Sequence, residues 1–406
     1  MTTKPTLAIV GASLAGAKAA EAARDAGFDG RIVLVGDEAH APYERPPLSK
    51  GILRGEAEIE SAHVHHEGFY AEHDIELVTD RVTALDALTR RLELVSGTVV
   101  PFDIAILATG AAPRQLETPG ADLAGIHYLR TADDALRLRD AIRGSERVAV
   151  VGAGWIGSEV AASARQMGAD VVLVDPAPTP LHRLLGDHIG GVFRQLHADH
   201  GVELRLGSGV ARLRGTNTVE EVVLDDGRVE HADVVIVGVG VEPRVGLAES
   251  SVGFRVDNGL VVDQHLATSV DGIYAAGDVA NAWHPHYKRH IRVEHWANAL
   301  NQGVTAGRNA AGHQDAYTRL PYFFSDQYDL GMEYVGYAQP GDSVAVRGDV
   351  EAREFIAFWH RDGHVTAAMN VNVWDVVDDL RAIITGSRTV DADRLADSDI
   401  PLGDLV

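Results

Sequence analysis

A chain of 406 residues, 46% apolar and 23% charged, is long enough for two or three separately cored domains and has the balance of an ordinary globular protein. Its formal charge of -23 argues against nucleic acid as a partner, because phosphate recognition needs a basic face. It contains no cysteine, which excludes disulfides, thiolate metal sites, cysteine nucleophiles and dithiol redox relays.

The N-terminus runs straight into a strand and a glycine turn without a signal-peptide layout, and no apolar run reaches the roughly 18 residues of a membrane span. A cytoplasmic protein with no membrane partner is expected. The segment "TLAIVGASLAGAKAAEAARDAG" reads as strand, turn and alanine-rich helix. The turn from Gly11 to Gly16 is G-x-S-x-x-G, with Ser13 where the second glycine usually stands. The strand "RIVLVGDE" follows, and Asp37 stands about twenty residues beyond Gly16, the distance of a ribose-binding acid. Next comes "APYERPPLSKG". Adjacent prolines fix φ and remove two donors, so this is a rigid elbow rather than helix or sheet interior, and it presents Lys50.

"FDIAILATGAAPR" is a buried strand ending in a Thr109-Gly110 turn. "RVAVVGAGWIGSEVAASARQMG" then repeats the glycine pattern in full, at Gly152, Gly154 and Gly157, and the strand "DVVLVD" ends at Asp175. An acid there accepts from a free 2′-hydroxyl and repels a 2′-phosphate, which favours NADH over NADPH. Glycines admit a pyrophosphate close to the backbone, and the helix amino end points N–H groups at it. Two strand–loop–helix–strand–acid units imply two dinucleotides, a flavin and a nicotinamide, with a hydride passing between them. Two later strands end in the turns Gly238 to Gly240 and Gly277-Asp278, the latter placing an acid within reach of a ribityl hydroxyl.

Taken together, "VGASLAG", "PYERPPLSK", "ATGAAPR", "YLRTADDA", "VGAGWIGSEVAA", "GVGVEPR", "YAAGDVA", "RVEHWANAL" and "FFSDQYD" resemble the FAD-dependent ferredoxin reductases of bacterial oxygenase systems, the putidaredoxin reductase type, with the apoptosis-inducing factors as relatives. The resemblance implies an α/β fold with two Rossmann-like dinucleotide-binding domains, glutathione-reductase-like, and a C-terminal α+β domain. It assigns Gly11, Leu14, Ala15, Gly16 and Asp37 to the ADP half of FAD, and Arg45, Lys50, Val82, Thr109, Gly110, Arg130, Asp278 and Trp296 to the flavin. Gly152, Gly154, Ile156, Gly157, Asp175, Gly238 and Gly240 fall to NADH. Lys50 and Glu159 form the chemical centre, with Glu159 on the first turn of its helix holding the ammonium near the flavin ring. Tyr322 and Phe324 stand where relatives commonly carry tryptophans.

Three domains are expected: FAD-binding at 1–112 and 242–320, NADH-binding at 113–241, and C-terminal at 321–406. The implied activity passes electrons from NADH through FAD to a [2Fe-2S] ferredoxin that feeds an oxygenase. NADH oxidase, quinone reductase and an NADH-sensing interaction protein remain as alternatives. An acidic ferredoxin needs a local basic surface, for which Lys288, Arg289, Arg292 and Arg308 are the candidates. No metal site is expected at "HVHHE", since three or four donors must converge. The acidic tail "DADRLADSDIPLGDLV" reads as solvated surface.

Overall fold

The computed structural model describes residues 4–386 and 388–405. The chain divides into two compact units, Met1–Arg45 with Ile59–Ala112 and Val241–Pro321, and Pro46–Glu58 with Pro113–Gly240 and Tyr322–Val406.

The first unit is centred on a parallel sheet in the order Ile273–Ala275, Ile104–Leu107, Thr6–Val10, Arg31–Gly36, Ile75–Thr79. Both faces of its central strands are buried, which explains the continuous apolar runs "LAIV" and "IVLV". The helices Leu14–Asp25 and Trp296–Ala310 pack against one another through small residues. Gly303 and Gly307 are needed there, because a Cβ at either would run into the carbonyl oxygen of Ala15 or Ala19.

The second unit carries its own parallel sheet, ordered Glu203–Leu206, Asp170–Asp175, Arg147–Val151, Val234–Val237, Ile126–Tyr128. The same unit contains an antiparallel sheet ordered Tyr322–Gln327, Leu330–Gly336, His364–Val371, Glu354–Arg361, Ser343–Asp349. Its inner face shares a core with the helix His182–Asp199 through Phe193, Leu196, Phe323, Met332 and Trp359.

The proline elbow is a single 3-10 turn, Pro46–Ser49, followed by the short helix Gly51–Arg54, and both belong to the second unit. Ser163 Oγ, on the helix Trp155–Gln166, donates to the Ser49 carbonyl at 2.6 Å and ties the elbow down.

The acidic tail is solvated at its carboxylates, as expected, but it is also anchored to the protein. Asp391 caps the helix Ala392–Ala396, whose Leu395 is buried, as is Leu405. Arg347 donates to the Ile400 carbonyl at 2.7 Å. Leucines spaced among acids anchor the tail while its carboxylates stay in water, a pattern that net charge conceals. Among the described residues, no helix is long and apolar enough to cross a membrane, and no three His, Asp or Glu side chains gather as metal ligands. His65 of the "HVHHE" segment stacks on Phe69 at 3.7 Å between ring centres.

Candidate active site

The two glycine loops are built alike. The strand Thr6–Val10 ends at Gly11, where φ is +112°, and the helix Leu14–Asp25 follows. Gly16 lies so tightly beneath the loop that a Cβ would strike the Gly11 carbonyl oxygen. Ser13 makes no side-chain hydrogen bond to the helix, and the first turn holds no acid. In the second loop φ is +102° at Gly152, Gly157 lies against the Gly152 carbonyl, and Gly154 begins the helix Trp155–Gln166, again without a side-chain cap or a first-turn acid. Each helix amino end therefore presents N–H groups without a side-chain cap or a first-turn carboxylate, the arrangement an anion needs.

Some of the other predicted residues lie beside these loops. Gly11 rests against the Ala108 carbonyl next to the Thr109-Gly110 turn, and Thr109 Oγ1 donates to the Arg244 carbonyl at 2.8 Å. Leu14 and Ala15 are buried, and the Gly277-Asp278 turn approaches Ala15. Gly152 rests against the carbonyl of Gly238, whose N–H donates to Val151 at 2.8 Å, and Gly240 follows with a φ of +104°. Ile156 is exposed at the helix start. Val82 is half-buried, and Trp296 opens the helix Trp296–Ala310 behind its N-cap His295, whose imidazole burial pushes down to about 4 against the pull of Asp278. Lys50 and Arg130 belong to the second unit, where the Arg130 N–H donates to Asp134 at 3.1 Å.

The two strand-end acids differ. Asp37 is exposed, while the next residue, Glu38, bonds the Tyr43 hydroxyl and pairs with Arg45 at 2.9 Å. Burial opposes the charge on Arg45, but Tyr43 and Glu38 outweigh it and hold the guanidinium above its ordinary value. Asp175 accepts the Ala153 N–H on Oδ2 at 2.6 Å and the Ala177 N–H on Oδ1 at 2.8 Å. It thus braces the second loop, and each oxygen keeps a lone pair for a further donor.

Lys50 Nζ lies 2.6 Å from Glu159 Oε2, with the side chains only 16% and 6% exposed. Glu159 is the fifth residue of its helix, so it stands on the second turn and not the first. Sequence reasoning missed the rest of its shell. Ser49 Oγ donates to Glu159 Oε2 at 2.5 Å and Ser325 Oγ to Oε1 at 2.7 Å. Gln327 Nε2 reaches Ser325 Oγ at 3.2 Å, and His197 Nε2 meets Gln327 Oε1 at 3.1 Å. Nearby Asp326 is raised above the usual carboxylate range, mainly by burial. Tyr322 donates to Glu333 at 2.7 Å, with the Arg381 guanidinium 5.4 Å from its ring centre.

The basic patch is smaller than its sequence suggests. Lys288 and Arg289 are exposed where the strands Ala280–His284 and Arg289–Arg292 turn. Arg292 is not part of that surface: its side chain is 8% exposed, paired with Glu294 at 2.5 Å and bonded to Asn258 and the Asp278 carbonyl. Arg308 has its charge met by Asp315 at 2.5 Å.

A parallel sheet ending in a phosphate-type glycine loop, present once in each unit, defines an oxidoreductase that works on dinucleotides. The chain belongs to the pyridine nucleotide-disulphide oxidoreductase family, whose sequence profile matches residues 5–303, and a reductase C-terminal profile matches 322–406. Rhodocoxin reductase of Rhodococcus erythropolis is 36% identical over 399 residues, covering 98% of this chain and 93% of that protein. The crystal structure of the ferredoxin reductase for the CYP199A2 system of Rhodopseudomonas palustris superposes with a TM-score of 0.95 at 36% identity, covering 98% and 99% of the two chains. A covalent putidaredoxin reductase–putidaredoxin complex gives 0.95 at 34% identity over 100% and 98%. This chain keeps the fold of a disulphide-reductase family without a cysteine to carry disulphide chemistry.

Proposed function

We propose that this protein is an NADH-dependent, FAD-containing ferredoxin reductase that supplies single electrons to a [2Fe-2S] ferredoxin of an oxygenase system. The observation that carries this reading is a chain-length match to ferredoxin reductases in a chain that retains both glycine cradles and has no cysteine. Residues 1–45, 59–112 and 242–320 hold FAD, 113–241 hold NADH, and 321–406 form the C-terminal domain, with the elbow at 46–58 belonging to the second unit.

The residues present fit both groups. The uncapped helix after Gly11 takes the FAD pyrophosphate, with Leu14, Ala15 and Gly16 beneath it and Asp37 at the ribose. Arg45, Val82, Thr109, Gly110, Asp278 and Trp296 complete the flavin's share within the first unit. The second loop takes NADH, with Ile156 and the Gly238–Gly240 turn beside it, and Asp175 selects a free 2′-hydroxyl. Lys50 and Arg130 are carried over to the flavin from the resemblance.

FAD held there would supply hydride acceptance and the release of electrons one at a time, chemistry that no side chain of this protein supplies. The protein contributes position and charge. Glu159 holds the Lys50 ammonium in one place, and the elbow removes the backbone freedom that would otherwise let it swing. A fixed positive charge stabilises negative charge that develops during hydride transfer. Lys288 and Arg289 supply the basic surface for an acidic ferredoxin.

The test is anaerobic rapid mixing with NADH while the visible flavin absorbance is followed. Fast bleaching, much slower with NADPH, followed by reoxidation on adding a [2Fe-2S] ferredoxin, is expected. A protein that binds no flavin, or one whose flavin reduces quickly yet passes nothing to any ferredoxin offered, overturns the reading.

A further inference from the structure

We propose that Ser325 and Gln327, on the first strand of the C-terminal sheet, are positioning residues for the Lys50–Glu159 pair, ending a one-way chain of donors from His197 on the Glu159 carboxylate. The proposal rests on the reading of that pair as the chemical centre. Its direction is forced by the groups themselves. Ser325 has one hydroxyl proton, and Glu159 Oε1 at 2.7 Å offers only lone pairs, so the proton is given there. The Ser325 oxygen must then accept, and Gln327 Nε2 at 3.2 Å is its donor. That orients the amide so that Oε1 faces His197 Nε2 at 3.1 Å, which must carry hydrogen. A flipped Gln327 would set its amide oxygen against the Ser325 oxygen, whose only proton is already given to Glu159. Burial pushes His197 down to about 4, so near neutrality the ring is uncharged, and the Nε2–H tautomer is the one the chain requires.

Ser325 and Gln327 alternate with Asp326 along one strand and so share a face. Ser325, Gln327 and His197 are all essentially fully buried, so water does not compete for these bonds. Three apolar side chains would fill the same space with nothing to satisfy. What the polar set adds is orientation. Ser49 and Lys50 share Oε2, while Ser325 holds the other carboxylate oxygen and so stops rotation about the last side-chain bond.

The test compares wild type with Ser325→Ala, Ser325→Thr and Gln327→Met. In Ser325→Ala the limiting rate of flavin bleaching by NADH should fall roughly 10- to 100-fold, with the half-saturating NADH concentration within about twofold of wild type. Threonine returns the hydroxyl and should recover most of the rate, while Gln327→Met should fall between. Crystal structures supply a readout independent of activity: Glu159 should leave its place against Lys50 in Ser325→Ala and keep it in Ser325→Thr. A Ser325→Ala protein with the wild-type rate, or one slowed while the Lys50–Glu159 geometry is intact, overturns the proposal. If wild type itself is not reduced by NADH, the functional reading fails, and the crystal structures still decide whether Ser325 holds the pair.

Discussion

Lys50 Nζ sits 2.6 Å from Glu159 Oε2, and the acid is the more deeply buried partner at 6% exposure. Removing the lysine leaves a carboxylate with two serine donors and no counter-charge, whereas removing the acid leaves an ammonium with somewhat more access to water. Lys50→Met should therefore cost stability on the order of 3 kcal/mol, the usual penalty for orphaning one member of a buried pair. The double variant Lys50→Met with Glu159→Gln should recover much of that loss, because no uncompensated charge remains. Urea denaturation of the single and double variants measures this. Flavin reduction by NADH should slow by about 10²-fold in both, since a fixed charge at the reacting centre is lost in each. Equal stability of Lys50→Met and the double variant would show that the pair is solvated.

The two cradles can be separated by one methyl group each. Gly16→Ala drives a Cβ into the Gly11 carbonyl, and Gly157→Ala does the same at Gly152. Neither contact can be relieved by a rotamer change, because the obstacle is backbone. Gly16→Ala is expected to purify with little flavin. Gly157→Ala should purify yellow, with its half-saturating NADH concentration raised at least about tenfold, since a misplaced loop loses several pyrophosphate hydrogen bonds. Absorbance spectra and rapid-mixing titrations distinguish the two. If both variants lost flavin equally, assigning one dinucleotide to each loop would be wrong.

These loops were the most legible part of the sequence because everything in them is local: a strand, a positive-φ glycine and a helix within a dozen residues. The Lys50–Glu159 pair came from the resemblance and not from any spacing. Ser325 stands in the segment "FFSDQYD", but its bond to Glu159 could not be read, since it spans 166 residues and leaves no periodic trace. Glu38 was overlooked because the twenty-residue spacing rule points to Asp37, yet it is Glu38 that meets Tyr43 and Arg45. Arg292 illustrates the opposite failure. In a run of basic letters it looks like surface charge, but the antiparallel pairing of its strand with Ala280–His284 turns it inward to Glu294 and Asp278.

Asp175 holds the second loop as well as facing the proposed ribose, so its replacement has two effects. Asp175→Ala removes acceptors from the N–H groups of Ala153 and Ala177 and also removes the charge that would repel a 2′-phosphate. NADH affinity should fall while discrimination against NADPH falls further, narrowing the ratio of the two dissociation constants roughly tenfold. Titrations with both nucleotides at matched ionic strength measure it. A drop in affinity with the ratio unchanged would leave Asp175 as a loop brace only.

Lys288 and Arg289 are the exposed cations on the hairpin that links Ala280–His284 to Arg289–Arg292. Reversing both to glutamate should lower the rate of electron transfer to a [2Fe-2S] ferredoxin by about tenfold at low salt and flatten its dependence on ionic strength. Flavin reduction by NADH should be unaffected. Unchanged salt dependence would move the docking surface elsewhere.

His197 makes a pH-dependent contribution whose sign follows from its burial. Its imidazole is pushed from an ordinary value near 6.5 down to about 4. Above pH 6.5 neither the folded nor the unfolded state holds that proton, and the residue adds no pH dependence. As pH falls from 6.5 toward 4 the unfolded chain gains the proton and the folded protein does not, so stability declines through that window. Below 4 the loss is complete, at about 3 kcal/mol for a shift of this size. Carboxylates add their own acid sensitivity, so the informative quantity is a difference. Urea denaturation of wild type and His197→Gln across pH 4.5 to 7.5 should give a shallower slope for the variant, whose amide can still donate to Gln327. Parallel slopes would mean that His197 takes up its proton as readily in the folded protein as in the unfolded chain, so that burial does not keep the ring neutral.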